Sequence, residues 1–185
     1  SVDLSSGAVQ ELRPAASDVP AAEVLPLPVK RTFVRDDGQE VHAYVHAPRN
    51  SGAEGPVGER APYIAIVHGG PTAAAHGILD LEIAYFTSRG IGVVDVDYGG
   101  STGYGRAYRE RLRGQWGIVD VEDTVAVMRA LGDAGDADPE RLVIRGGSAG
   151  GWTALAALVA GDDFAAGIAY YPVADLLPFA EDTHE

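Results

Sequence analysis

The run Gly146-Gly147-Ser148-Ala149-Gly150-Gly151 sets one hydroxyl between glycines two positions before it and two after it. Where such a run joins a buried strand to a helix, the serine sits on a bend tight enough to strain its backbone. The glycines leave room for the strand and helix that crowd it. Unpaired N–H groups at the helix start, and the positive end of its dipole, then face the serine oxygen. A hydroxyl in that setting suits acyl transfer, because it can attack a carbonyl while amides receive the oxyanion. Gly-x-Ser-x-Gly alone says little in a chain with 24 glycines. Its context makes it specific: the apolar Leu142-Val143-Ile144 precedes it, and a helix over residues 149–160 follows. Ser148 is the expected nucleophile, and the N–H of Ala149 one expected oxyanion donor. His68-Gly69-Gly70-Pro71 follows another apolar strand, where a second donor belongs, and the N–H of Gly69 or Gly70 is expected to supply it. His68 is expected to act as a structural hydrogen-bonding residue. It precedes the serine, whereas a base in this arrangement follows it.

These loops need a parallel sheet to hold them. Strands are expected over residues 63–67, 91–96, 142–144 and 165–171, and helices over 81–88, 119–131 and 149–160. Within the second helix Val121, Val125 and Met128 share a face. Strand–helix alternation with unbroken apolar strands predicts an α/β fold, a mostly parallel sheet with helices on both faces. Ahead of it, Thr32-Phe33-Val34 and residues 41–45 flank Asp36-Asp37-Gly38-Gln39, a hairpin turn that adds an antiparallel edge. Residues 1–12 read as a short hairpin turning at Ser5-Ser6-Gly7, and residues 13–28, rich in proline and alanine, as an extended linker.

Composition narrows the chemistry. The net charge of −13 repels phosphate backbones and anionic headgroups, so neither a nucleic acid nor a membrane is an expected partner. There is no cysteine, which rules out a thiolate nucleophile and cysteine-ligated zinc and fits a cytoplasmic location. The histidines and carboxylates show no metal-ligand spacing, and no metal or cofactor is expected. No apolar run is long enough to span a bilayer. A nucleotide-binding module would also use Gly-rich loops after strands, but neither Gly-x-Gly-x-x-Gly nor a Walker lysine is present, and Lys30 is the only lysine.

His68-Gly69-Gly70-Pro71-Thr72, Asp97-Tyr98-Gly99-Gly100-Ser101-Thr102-Gly103-Tyr104-Gly105-Arg106, Trp116-Gly117 with Asp120 and Asp123, and Arg145 to Gly151 occur in one order. In these stretches the sequence resembles the prolyl oligopeptidase family of serine peptidases, nearest its acylaminoacyl and dipeptidyl-peptidase-like branch. The resemblance covers roughly residues 29–185 and implies an α/β-hydrolase fold, incomplete at the C-terminus. Residues 1–28 then correspond to the end of a preceding domain, a β-propeller, with its linker. It implies hydrolysis of short peptides by acyl transfer through Ser148. The triad Asp and His would lie beyond two further strands, past the last residue, so Asp175 and His184 do not complete it and the fragment alone is inactive. The partners implied are a peptide substrate and homo-oligomers of the full-length protein. The segment after the last strand would line the substrate pocket, with Leu176 and Phe179 as candidates beside a plain packing role. Gly99 departs from the pattern, which has arginine there. Two alternatives stay open. One is a carboxylesterase or lipase on the same fold, although Pro71 matches the peptidases. The other is a non-catalytic interaction domain that kept the fold.

Overall fold

The computed structural model describes residues 1–13, 18–175 and 177. Six strands form one sheet: β1 (Val29–Val34), β2 (Glu40–His46), β3 (Ala61–Val67), β4 (Gly92–Asp97), β5 (Ala137–Gly147) and β6 (Ala166–Tyr170), in the spatial order β1-β2-β4-β3-β5-β6. The β1–β2 and β2–β4 pairs are antiparallel, and the other three are parallel. The sequence predicts this antiparallel edge on a parallel core. The α/β expectation holds.

Four helices connect the strands: α1 (Leu81–Thr87), α2 (Arg106–Glu110), α3 (Val119–Asp133) and α4 (Ala149–Ala160). From β3 through α1 the chain steps to β4 on one side, and from β4 through α3 it steps back across β3 to β5. Right-handed crossovers in opposite directions put α1 on one face of the sheet and α3 on the other. The Asp80 carboxylate caps α1, accepting the Glu82 N–H at 2.7 Å.

The main core lies between the sheet and α3 with α4. Val94, Val96, Ala65, Val67 and Ile144 meet Val121, Val127, Met128 and Leu131 of α3 and Ala154 and Ala157 of α4. On α3 the buried stripe runs through Val121, Thr124, Val127, Met128 and Leu131, while Val125, expected on that face, is only half-buried at its border. α4 lies close to the sheet because its inner face is small: Ala149, Gly150, Gly151, Thr153, Ala154 and Ala157.

Four local features depart from the sequence reading. The N-terminal hairpin reduces to one antiparallel bridge, Val2↔Val9, around a turn in which Gly7 N–H donates to Asp3 O. The linker is not wholly extended, since Ala22–Val24 form one 3-10 turn. And α2, which no apolar periodicity announced, follows Gly105. β5 starts earlier than the strand expected over 142–144, and Asp138-Pro139-Glu140 form a bulge in it between the pairs Ala61↔Ala137 and Tyr63↔Leu142.

Candidate active site

Sheet order reverses at β3, whose neighbours β4 and β5 are reached by crossovers running opposite ways. The carboxyl ends of strands at such a reversal form a crevice, where open α/β sheets bind ligands. Ser148 stands at the end of β5 and His68-Gly69-Gly70 at the end of β3, with Val67 paired to Gly146.

Ser148 joins β5 directly to α4 and has φ 54 and ψ −117. A non-glycine residue held there costs on the order of 1–3 kcal/mol, which the surrounding packing must offset. The two motif glycines show what that packing is. A Cβ on Gly146 would lie 2.2 Å from Gly150 O, and one on Gly150 would lie 2.1 Å from Val67 O. Both contacts are to backbone, so neither position can hold a side chain while β5, β3 and α4 stay in place. Ser148 itself is half-buried, and its N–H donates to Tyr170 O at 3.0 Å.

The loop after β3 leans on this bend. A Cβ on Gly69 would lie 2.9 Å from Gly147 O and 3.4 Å from Ser148 Cβ. Among the described residues no protein acceptor takes the N–H of Gly69 or Gly70. The N–H of Ala149, first in α4, has no intrahelical partner either. The three candidate oxyanion donors therefore come from two loops that touch at Ser148.

His68 turns the other way. Its Nε2 lies 2.7 Å from Ser101 Oγ, its Nδ1 3.1 Å from Gly69 O, and its ring stacks on Tyr98 with centroids 4.4 Å apart. Burial pushes its pKa below the ordinary imidazole value. The geometry is that of a brace: Ser101 and Tyr98, both fully buried, hold the ring that carries Gly69. Among the described residues none hydrogen-bonds the Ser148 hydroxyl.

A second brace fixes the loop from Tyr98 to Gly105. Asp123 on α3 is fully buried and accepts the Gly99 N–H at 2.7 Å. Arg111 forks onto both its oxygens at 2.9 Å, and Arg35 reaches it from β1's end at 2.8 Å. The departure at Gly99 has a spatial reason here. A Cβ at that position would lie 2.9 Å from Arg111 Cζ, so the guanidinium of Arg111 occupies the space beside residue 99. Asp97, also buried, accepts the Ala75 N–H and the Tyr104 hydroxyl, tying the loop after β3 to the loop after β4. The Tyr104 ring stacks on His42 with centroids 4.1 Å apart, and the Lys30 ammonium lies 4.5 Å from its centroid.

Asp120, at the start of α3, is buried as well. It accepts the Gly117 N–H and the Thr153 hydroxyl, linking α3 to α4. Burial raises its pKa, and these hydrogen bonds oppose the rise. Asp120 and Asp123 stand within the motifs of the sequence, where no neighbouring residue gives them a task. The brace through Arg35 and Arg111 was invisible because both arginines come from other segments. Leu176 and Phe179, the pocket candidates, lie outside the described residues, as does His184. Among the described residues no group of His, Asp or Glu could hold a metal ion, and no helix is long and apolar enough to cross a membrane.

Residues 78–185, more than half of the chain, match the model of the prolyl oligopeptidase family. The chain belongs to that family. Its fold is close to that of a puromycin-hydrolysing peptidase of Mycobacterium tuberculosis, with a TM-score of 0.96 and 56% identity over 99% of this chain and 28% of that one. A puromycin hydrolase crystal structure superposes with a TM-score of 0.93 and 52% identity, over 97% of this chain and 27% of that one. Among curated sequences, the acylamino-acid-releasing enzyme of Arabidopsis thaliana is 34% identical over 62% of this chain and 15% of its own length. This member of the prolyl oligopeptidase family thus spans under a third of the proteins it matches.

Proposed function

We propose that the protein is a serine peptidase that cleaves short peptides by acyl transfer, with Ser148 as nucleophile. The observation that carries this reading is the left-handed backbone of Ser148 at the β5–α4 junction, with Gly69 packed against its Cβ. The Ser148 oxygen attacks the substrate carbonyl, and the negative charge passes to the carbonyl oxygen. The N–H groups of Ala149 and of Gly69 or Gly70 receive that charge. The hydroxyl proton needs a base, and His68 is spoken for by Ser101 and Gly69. By the order Ser, acid, His that this arrangement follows, the general base and its carboxylate partner come after Ser148 in sequence. As the tetrahedral intermediate collapses, the C–N bond breaks and the base returns the proton to the leaving amine; water then hydrolyses the acyl-enzyme, releasing the acid and restoring the Ser148 hydroxyl.

Similarity to puromycin-hydrolysing peptidases over nearly the whole chain supports an aminoacyl amide as substrate, with puromycin itself the compound to try first. The test is labelling of the full-length protein with a fluorophosphonate, alongside hydrolysis of puromycin and aminoacyl-p-nitroanilides. Ser148→Ala is expected to abolish labelling and to lower amide turnover by about 10³-fold or more. Equal labelling of the wild type and Ser148→Ala would overturn the assignment. Turnover of p-nitrophenyl esters without amide turnover would place the protein among esterases instead.

A further inference from the structure

Among the described residues only two other than glycine have left-handed backbone. One is Ser148, and the other is Tyr171, with φ 37. A bulky aromatic in that region is a genuine outlier, and such strain concentrates where a site needs a particular side-chain direction. Tyr171 follows β6 directly, and hydrogen bonds on both sides lock it to the nucleophile. Ser148 N–H donates to Tyr170 O at 3.0 Å, and Val173 N–H donates to Ser148 O at 3.3 Å.

The ring lies beside Gly147, the residue just before Ser148. A Cβ on Gly147 would sit 3.0 Å from the Tyr171 hydroxyl, 3.1 Å from Cε2 and 3.2 Å from Cζ. Gly147 has no positive φ, so its backbone would accept another residue. What crowds a side chain there is the neighbouring ring. Gly146 and Gly150 differ, since backbone atoms crowd them. Tyr171 thus occupies the space that a side chain at position 147 would take. It is nevertheless 80% exposed and walls an open cavity of about 320 Å³ that also includes Gly146, Gly147, Tyr170, Arg145 and Glu82. Arg145 and Glu82 neutralise each other at 2.7 Å. Among the described residues the Tyr171 hydroxyl has no hydrogen-bond partner.

We propose that Tyr171 is a specificity-determining residue. It stands in for the side chain that Gly147 lacks, lines the cavity at Gly147, the neighbour of Ser148 in sequence, and offers its hydroxyl to the acyl part of a bound peptide. This rests on the acyl-transfer reading of Ser148.

The experiment uses the full-length protein with Tyr171→Phe, Tyr171→Gly, Gly147→Leu and the Gly147→Leu/Tyr171→Gly pair. Each is treated with a fluorophosphonate and assayed for kcat/KM on a panel of aminoacyl-p-nitroanilides. Tyr171→Phe, which keeps the ring, is expected to label to completion and to lose about tenfold in kcat/KM, the size of one hydrogen bond. Tyr171→Gly is expected to reorder the preference among substrate side chains, a change that general loosening would not produce. Gly147→Leu should lose activity that the double variant regains by at least about tenfold, since the ring and the leucine compete for one space. An unchanged preference order in Tyr171→Gly, with labelling intact, would overturn the proposal. So would a Gly147→Leu defect that persists undiminished in the double variant. Failure of the wild type to label would instead overturn the assignment of Ser148, a result independent of Tyr171.

Discussion

His68 shows how a single buried ring can hold a loop from two sides. Its Nε2 meets Ser101 Oγ and its Nδ1 faces Gly69 O, so the imidazole fixes the loop that carries two candidate oxyanion donors. Burial lowers its pKa in the fold relative to 6.5, so the folded state favours neutral imidazole. A group with a depressed pKa lends stability that is full above its unfolded value and is lost as pH falls through the folded one. Unfolding midpoints in urea should therefore drop as pH is lowered from roughly 7.5 to 5, and His68→Gln should flatten that dependence. Ser101→Ala leaves the buried Nε2 without its partner and is expected to cost about 1–3 kcal/mol at neutral pH. A pH dependence in His68→Gln as steep as that of the wild type would contradict the assignment of that dependence to His68. At this scale the sequence was only half legible. The order of residues led to the expectation of a structural role for His68, and its contacts with Ser101 and Gly69 fit that role. Its partner Ser101 is 33 positions away, brought close by the pairing of β3 with β4.

At the scale of elements, the contact that matters most is α4 against β3. Gly150 in α4 has room for no Cβ, because Val67 O occupies the place. Gly150→Ala must push helix and strand apart or distort both, at an expected cost of about 3 kcal/mol by chemical denaturation, with fluorophosphonate labelling lost alongside. Destabilisation below about 0.5 kcal/mol would show that α4 is not seated as described. β3, β4, α3 and α4 could be read from the sequence because local periodicity encodes their buried faces. The short α2 could not. Its five residues are held by a distant anchor, the Tyr108 hydroxyl donating to Asp97 O. Tyr171 was missed for a related reason. Its place beside Gly147 depends on the register of β6 against β5, which no neighbouring residue in sequence reveals.

Across the whole molecule, the two halves of the candidate site belong to adjacent central strands. Gly69 follows β3, Ser148 follows β5, and the ladder from Tyr63↔Leu142 to Val67↔Gly146 sets their spacing. A site anchored this way should fail only when the sheet does. On heating the full-length protein, the fluorophosphonate labelling rate is expected to vanish at the same midpoint as far-ultraviolet circular dichroism. Loss of labelling about 10 °C earlier would mean that the loops, not the ladder, set the geometry. The α/β class, the antiparallel edge and the location of the serine were all legible in the sequence, since strand–helix alternation and loop composition are local. The order β1-β2-β4-β3-β5-β6 rests on pairings between distant segments.

The lone lysine has a practical consequence. Lys30 rests its ammonium over the Tyr104 ring, and Tyr104 belongs to the loop that braces the site. Within residues 1–185 reductive methylation with ¹³C-formaldehyde therefore has one side-chain amine to mark. The ring current of Tyr104 would give that methyl resonance a distinctive shift, and a displaced loop would move it.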